Sequence, residues 1–122
     1  MTYRTILTLA VLMLTFAVLA PAADVSGKWT AQFDTQVGVQ KYTYEFKVDN
    51  GKLTGKAVSE NGESAIQDGK VSGDDITFVE TLNFDGQPLR ITYKGKIAGD
   101  EIKFTRNVAD MATEELVAKR SK

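Results

Sequence analysis

Apolar and polar side chains alternate with a period of two along most of the chain after residue 26. In residues 41–48 every second side chain is apolar, and residues 76–84, 89–97 and 102–108 repeat the alternation with one interruption each. A helix would need apolar positions three and four residues apart, and these segments lack that spacing. The pattern therefore predicts β-strands with one buried and one exposed face.

Residues that tolerate a positive φ separate these runs at short intervals. They are Asp49-Asn50-Gly51, Glu60-Asn61-Gly62, Gly73-Asp74, Asp85-Gly86 and Gly99-Asp100. The strands predicted between them are 27–34, 40–48, 52–60, 64–72, 75–84, 88–98, 101–108 and 114–120. Residues 109–113 are the one connection with some helical character, and we expect a single short turn there.

Eight such strands need a cover for their apolar face, and the pattern offers no helix to provide it. Closing the sheet on itself buries that face and removes the unpaired edges. Gly69–Phe78 recurs as Gly95–Phe104, and each copy contains a strand end, a Gly-Asp turn and the next strand. We therefore expect an all-β fold, an eight-stranded antiparallel up-and-down barrel, with an open two-sheet sandwich as the alternative.

The N-terminus is a segment of a different kind. Arg4 supplies one positive charge, Ile6–Ala20 is an apolar run, and small residues follow it. This order is typical of a secretory signal peptide. Cleavage after Ala22 places alanine at both positions that signal peptidase reads, whereas cleavage after Ala23 would place a proline at one of them.

We therefore expect residues 1–22 to be a cleaved signal peptide and residues 23–122 to be a single barrel domain. The apolar run is shorter than the ~20 residues that span a bilayer, so we expect no stable membrane anchor after cleavage. The predicted location is secreted or periplasmic.

The amino-acid composition limits the kinds of metal binding and catalysis that this chain can carry out. The 122 residues include no His and no Cys, with 15 Lys+Arg and 16 Asp+Glu. The missing types are the usual ligands of zinc, copper and iron–sulfur clusters, and their absence excludes Ser-His-Asp and Cys-His catalysis. A formal net charge of −1 gives no electrostatic reason to expect nucleic acid. We therefore expect no metal, no cofactor and no nucleic-acid partner.

Ser26-Gly27-Lys28-Trp29 opens the first predicted strand, and Lys119-Arg120 closes the last. A Gly-x-Trp on strand one with a cation on the final strand resembles the calycin signature of lipocalins, avidins and fatty-acid-binding proteins. The resemblance touches Gly27, Trp29 and Arg120, and it implies that the cation packs over the Trp ring at a closed barrel end. The disulfides and long loops of lipocalins and the extra tryptophans of avidins are absent from this sequence.

The mature chain as a whole is similar to short exported bacterial barrel proteins with the same opening, the same repeated Gly-Lys-aliphatic turns and a Lys-Arg ending. Its segments also resemble the tails of larger secreted hydrolases that act on carbohydrate. The shared features are turns and core residues. The resemblance therefore implies a fold and an export route, and it does not imply a reaction.

Nine aromatic side chains lie on the apolar phase of the predicted strands, and they either line a ligand cavity or fill the barrel. The interior of an eight-stranded barrel is just wide enough for side chains. A buried tyrosine hydroxyl needs a polar partner, so Tyr42, Tyr44 and Tyr93 are candidate residues for binding a sugar or another amphipathic ligand. The nine are Trp29, Phe33, Tyr42, Tyr44, Phe46, Phe78, Phe84, Tyr93 and Phe104.

Two charged residues interrupt the apolar phase: Glu80 lies between Phe78 and Leu82, and Arg106 follows Phe104. An unpaired buried charge is costly. Three arrangements are open: an internal Glu80–Arg106 pair with tyrosine hydroxyls in its network, contact of either residue with a polar ligand, or a local bulge that turns one of them outward.

We therefore expect an exported, non-enzymatic barrel that binds an unidentified small molecule or carbohydrate and is associated with extracellular carbohydrate-active enzymes. The alternative is a lipocalin-like carrier of a small apolar ligand, which needs an open cavity. A third hypothesis is a small hydrolase that uses Glu80 or a tyrosine. The sequence supplies no second catalytic group at a defined position for it.

Overall fold

The computed structural model describes residues 23–121, and the predicted signal peptide at residues 1–22 lies outside the described residues. No helix occurs within the described part of the chain, and so none that could cross a membrane. The strands are β1 Gly27–Thr35, β2 Gly38–Asp49, β3 Lys52–Ser59, β4 Gly62–Ala65, β5 Gln67–Ser72, β6 Asp75–Phe84, β7 Gln87–Ala98, β8 Glu101–Val108 and β9 Ala112–Arg120.

Every strand pairs antiparallel with its neighbours, in the order β2-β1-β9-β8-β7-β6-β5-β3-β4. β3 also pairs with β2, which closes the sheet into a barrel. β4 and β5 both pair with β3 and together take the place of one strand. The predicted all-β antiparallel barrel of eight strands is confirmed, with its fourth strand divided in two, and the open sandwich is excluded.

The division of the fourth strand corrects the prediction of one strand over 64–72. Ser64 and Ile66 are buried, and so is Val71, so the inward phase changes from even to odd positions within this segment. That change requires an extra residue in the strand, which is a β-bulge. The register with β6 shifts at this point, beside Asp68, whose φ is 51°.

The connection between β8 and β9 is a tight turn without helical structure. Ala109 and Asp110 have φ values of 50° and 60°, and the Met111 N–H donates to the Val108 carbonyl at 2.8 Å. Positive φ at both central residues is the geometry of a type I′ hairpin turn, whose twist matches that of the flanking strands. The expected short turn is therefore present, and it ends before residue 112.

Aromatic rings fill the middle of the barrel. Tyr44, Phe78 and Tyr93 are each at most 1% exposed, and the ring centroids of Phe78 and Tyr93 are 4.2 Å apart. Phe104 packs against both of those rings at 5.5 to 5.6 Å. A Cβ at Gly95 would lie 2.6 Å from the Phe104 ring, so this glycine makes room for it. At this level the rings occupy the lumen and leave it closed to a ligand.

The chain preceding β1 covers one end of the barrel. The Ala23 N–H donates to the Gly73 carbonyl at 3.0 Å, which ties the segment to the turn between β5 and β6. Val25 is fully buried, and its carbonyl accepts a hydrogen bond from the Trp29 indole N–H at 2.9 Å. The indole is therefore buried, and its N–H group has a hydrogen-bond partner.

Arg120 completes this closed end. Its guanidinium carbon lies 4.5 Å from the centroid of the Trp29 ring, as the resemblance to the calycin signature implies. The same guanidinium donates to the Ser26 carbonyl at 3.1 Å and to the Asp100 carboxylate at 3.0 Å. A cation–π contact of this kind contributes ~0.5–2 kcal/mol, and here it joins the last strand to the covering segment.

Candidate functional site

A buried polar cluster lies above the aromatic layer, toward the end of the barrel opposite Trp29. Glu80 of β6 and Arg106 of β8 both face inward and are 1% and 4% exposed. Their strands are separated by β7, and the guanidinium nitrogen Nη2 of Arg106 is 3.8 Å from Oε1 of Glu80. The predicted internal pair is therefore present, and the bulge that would turn one of them outward is not.

Two tyrosines bridge the charged groups. The Tyr93 hydroxyl donates to Oε1 of Glu80 at 2.9 Å and accepts from Nε of Arg106 at 2.9 Å. The Tyr42 hydroxyl donates to Oε2 of Glu80 at 3.2 Å and accepts from Nη2 of Arg106 at 3.1 Å. Because the Tyr93 proton is already used, Tyr44 must be the donor in its 3.0 Å bond to the Tyr93 hydroxyl. All three predicted tyrosines belong to one directional network.

Glu114 is a member of the cluster that the sequence analysis missed. It lies opposite Arg106 in the β8–β9 register, and its carboxylate accepts a hydrogen bond from Nη1 of Arg106. The available signal was the period of β9, because Glu114 shares the inward phase with Leu116 and Ala118. Its position at the end of the predicted strand concealed that phase.

The cluster contains two carboxylates and one guanidinium, and burial shifts the pKa of Glu80 and of the tyrosines. Burial raises the pKa of Glu80 above its ordinary value, although Tyr93, Arg106 and Tyr42 oppose the shift. Burial also raises the pKa of Tyr42 to about 12 and that of Tyr93 well above its usual range. The tyrosines therefore stay protonated at neutral pH and act as hydrogen-bond donors.

The cluster is satisfied internally. Every buried side-chain nitrogen and oxygen within residues 23–121 has a hydrogen-bond partner. The Arg106 guanidinium also lies 5.3 Å from the ring centroids of Phe33 and Tyr42. A carboxylate that already accepts from two tyrosines is poorly placed to act as a general base. Among the described residues, no group of three or more acidic side chains forms a metal site either.

A cleft opens in the barrel wall where β1 meets β9. Only Trp29 with Arg120 and Thr30 with Lys119 are paired there, whereas β6 and β7 share ten residue pairs. The cleft has a volume of about 1050 Å³, which is at the upper end of the ~300–1,000 Å³ of ligand sites. Its lining consists of Thr30, Ala31, Gln32, Phe33, Asp34, Lys41, Tyr42, Thr43, Lys103, Phe104, Thr105, Glu115, Leu116, Val117 and Lys119.

The register of this short ladder brings two like charges to the same level. Continuing the register of Thr30 with Lys119 along both strands would place Asp34 directly opposite Glu115. Two carboxylates at directly opposed positions destabilise an antiparallel pair. Both side chains are exposed, and neither forms an ion pair with a residue in the described range 23–121. The last residue pair of this ladder, Thr30 with Lys119, lies four residues before this position.

The cleft connects the surface to the polar cluster through Tyr42. Phe33, Tyr42 and Leu116 form its floor and are buried, whereas the exposed ends of Lys41 and Lys103 lie on its walls. Since the Tyr42 hydroxyl bonds both Glu80 and Arg106, a ligand in the cleft would be one ring away from the buried charges.

The predicted site residues thus fall into two groups. Glu80, Arg106, Tyr44 and Tyr93 lie together in the core, and Tyr42 lies between that cluster and the cleft. The three signature residues, Gly27, Trp29 and Arg120, lie at the closed end. Gly27 has a φ of +128°, which favours glycine at this position.

Comparison with protein-family models, with curated proteins and with solved structures finds no match to this chain.

Proposed function

We propose that this protein is an exported, non-enzymatic β-barrel whose task is binding, and that its ligand occupies the cleft between β1 and β9. The observation that carries the proposal is the cleft itself, a cavity of about 1050 Å³ in a barrel whose lumen is filled by rings. The signal-peptide pattern of residues 1–22 supports export.

The buried cluster supports a binding task over catalysis. Glu80, the carboxylate most suited to a base, is 1% exposed and bonded to Tyr42 and Tyr93. A catalytic group has to reach the proton that it transfers. The cluster instead supports the floor of the cleft by fixing the Tyr42 ring.

The sequence resemblance points to carbohydrate as one ligand class. Thr30, Gln32 and Thr43 supply hydroxyl and amide groups to the cleft that match the hydroxyls of a sugar. An apolar ligand is the second candidate, because Phe33, Tyr42, Phe104 and Leu116 make its floor apolar. A carrier of that kind would hold its ligand in the wall of the barrel and not in the lumen.

A thermal-shift screen of the mature protein, residues 23–122, against oligosaccharides and fatty acids tests the proposal. A ligand present at 100 times its Kd adds about 2.7 kcal/mol to the stability of the folded state. Val117 lies on the cleft wall and Val39 lies outside it, and both are exposed. We expect Val117→Trp to abolish the shift and Val39→Trp to preserve it. A hit that is indifferent to both substitutions would place the ligand elsewhere and refute the proposal.

A further inference from the structure

The outward side chains around the cleft carry charges of both signs, and none of them forms an ion pair within residues 23–121. We infer that the cleft binds an acidic oligosaccharide, a short sugar chain that carries carboxylate or sulfate groups as well as hydroxyls. This inference rests on the proposed function, since it names the ligand class of the same cleft.

The first argument comes from the lysines on the two walls of the cleft. Lys103 of β8 has Lys96 and Val117 directly opposite it on the neighbouring strands, and Lys41 of β2 has Gln32. Two like charges directly opposite each other destabilise an antiparallel pair. Lys96 has two carboxylate partners of its own, whereas Lys103 has no carboxylate directly opposite it. A negatively charged ligand group would offset this repulsion.

The second argument comes from where the two carboxylates of the cleft lie. Lys103 is level with Val117, and Lys41 is level with Gln32. Asp34 and Glu115 are each two residues farther along their strands, which is ~7 Å at the rise of a β-strand. The positive and negative charges are therefore separated along the cleft. A chain that is negative along its whole length, such as a polyphosphate or a nucleic acid, would meet repulsion at the carboxylates.

The third argument comes from hydrogen bonding. An ionised carboxylate only accepts hydrogen bonds, so Asp34 and Glu115 match the hydroxyl donors of a sugar. Thr30, Thr43 and Thr105 also line the cleft, and their hydroxyls both donate and accept. A neutral sugar would satisfy these groups but leave the lysines without an anionic partner. A sugar chain with acidic groups at some positions and hydroxyls at others satisfies both.

The width of the cleft indicates a chain of several sugars. Lys103 and Lys41 lie on β8 and β2, which are three strands apart in the order β2-β1-β9-β8. At a spacing of ~4.8 Å between neighbouring strands, the two backbones are at least roughly 14 Å apart. A ligand that contacts both lysines must therefore be longer than a single sugar ring.

Fluorescence anisotropy with a labelled trimer of galacturonic acid tests this inference on the mature protein. The same trimer with its carboxylates converted to methyl esters keeps the sugar rings but loses the charges, and it should bind at least tenfold more weakly. We expect Lys41→Gln/Lys103→Gln to weaken binding of the acidic trimer at least tenfold. The matched control Lys47→Gln/Lys52→Gln removes two exposed lysines outside the cleft and should leave the affinity within twofold.

Two further probes separate recognition of a sugar from attraction between charges. Tripolyphosphate should bind the native chain at least tenfold more weakly than the trimer, and Asp34→Asn/Glu115→Gln should narrow that gap. Free galacturonic acid should also bind at least tenfold more weakly than the trimer. A sulfated trimer of galactose, tested alongside, shows which acidic group is preferred, and binding of either trimer that depends on Lys41 and Lys103 supports the inference.

The contrary outcomes are distinct from failure of the proposed function. Equal binding of the acidic trimer and its methyl ester, equal losses in the two lysine variants, or binding of tripolyphosphate as tight as that of the trimer would overturn the inference. If a neutral oligosaccharide or a fatty acid binds in a manner that Val117→Trp abolishes and neither acidic trimer binds, the inference fails and the proposed function stands. If none of these ligands binds, both fail.

Discussion

The buried cluster makes a quantitative prediction about Arg106. Its guanidinium donates hydrogen bonds to Tyr93, Tyr42 and Glu114 and lies 3.8 Å from Glu80. Arg106→Met keeps much of the side-chain volume but leaves both carboxylates without a cation. Removing one partner of a buried ion pair costs ~3–5 kcal/mol, because the remaining charge is buried and uncompensated.

The double variant separates this cost from ordinary loss of packing. In Glu80→Gln/Arg106→Met no fully buried charge remains, since the Glu114 side chain is 10% exposed and can reach water. We therefore expect the double variant to lose much less stability than the sum of the two single variants. The coupling free energy between the two sites should exceed ~1 kcal/mol, as is usual for residues in one network.

Urea denaturation of the mature protein, followed by the fluorescence of Trp29, measures these free energies of unfolding. Arg90→Met is the matched control, because Arg90 forms an exposed pair with Asp68 at 3.8 Å and such pairs contribute ~0–1 kcal/mol. If Arg106→Met proves too unstable to fold, a double variant that does fold still demonstrates the coupling, because additive costs would make the double variant less stable than Arg106→Met alone. Additive effects below ~1 kcal/mol would refute the buried-pair argument and would return Glu80 and Arg106 to the list of ligand-binding candidates.

Three further predictions concern the closed end of the barrel, the pH dependence of the buried cluster and two glycines. Arg120→Met should lower the free energy of unfolding by ~0.5–2 kcal/mol through loss of its contact with Trp29. The control Lys119→Met should change the free energy of unfolding little. Equal effects of the two substitutions in urea denaturation would count against the contact. Burial raises the pKa of Glu80 above its ordinary value of 4.5, so the folded state binds this proton more tightly than the unfolded state does. The free energy of unfolding should therefore fall as the pH rises from 4.5 through the native-state pKa. Calorimetry across that range should show no such decline for Glu80→Gln. Gly55→Ala should lower the free energy of unfolding strongly, because its Cβ would lie 1.8 Å from the Glu45 carbonyl oxygen at a φ of +139°. The control Gly62→Ala, at a φ of +117° with open space around it, should cost only the backbone strain of ~1–3 kcal/mol. Similar urea midpoints for the two variants would contradict the steric argument.

The sequence alone determined the strands and the turns. Alternation of apolar and polar residues depends on neighbours along the chain, and so do the Asn-Gly, Asp-Gly and Gly-Asp turns. For this reason the predicted strand limits differ from the observed ones by at most two or three residues in most cases. The break near Ile66 is the exception, because the bulge beside Asp68 is visible in the sequence only as a change of phase.

The sequence predicted that a buried polar cluster exists, but it identified only some of the residues in that cluster. The positions of Glu80 and Arg106 on the apolar phase showed that both charges would need partners. Their meeting across β7 depends on the strand order, which places Tyr93 between them. Glu114 joins them because it lies opposite Arg106 in the β8–β9 register, and that register was unknown from the sequence.

Only the tertiary structure decided where the cleft opens in the barrel wall. Asp34 and Glu115 are far apart in the chain, and each is an ordinary exposed carboxylate of a predicted strand. The pairing of Trp29 with Arg120 fixes the register of β1 and β9, and this register places Asp34 opposite Glu115. Periodicity specifies which face of a strand is buried, but the point at which the pairing of β1 and β9 ends depends on the register in which two distant strands meet.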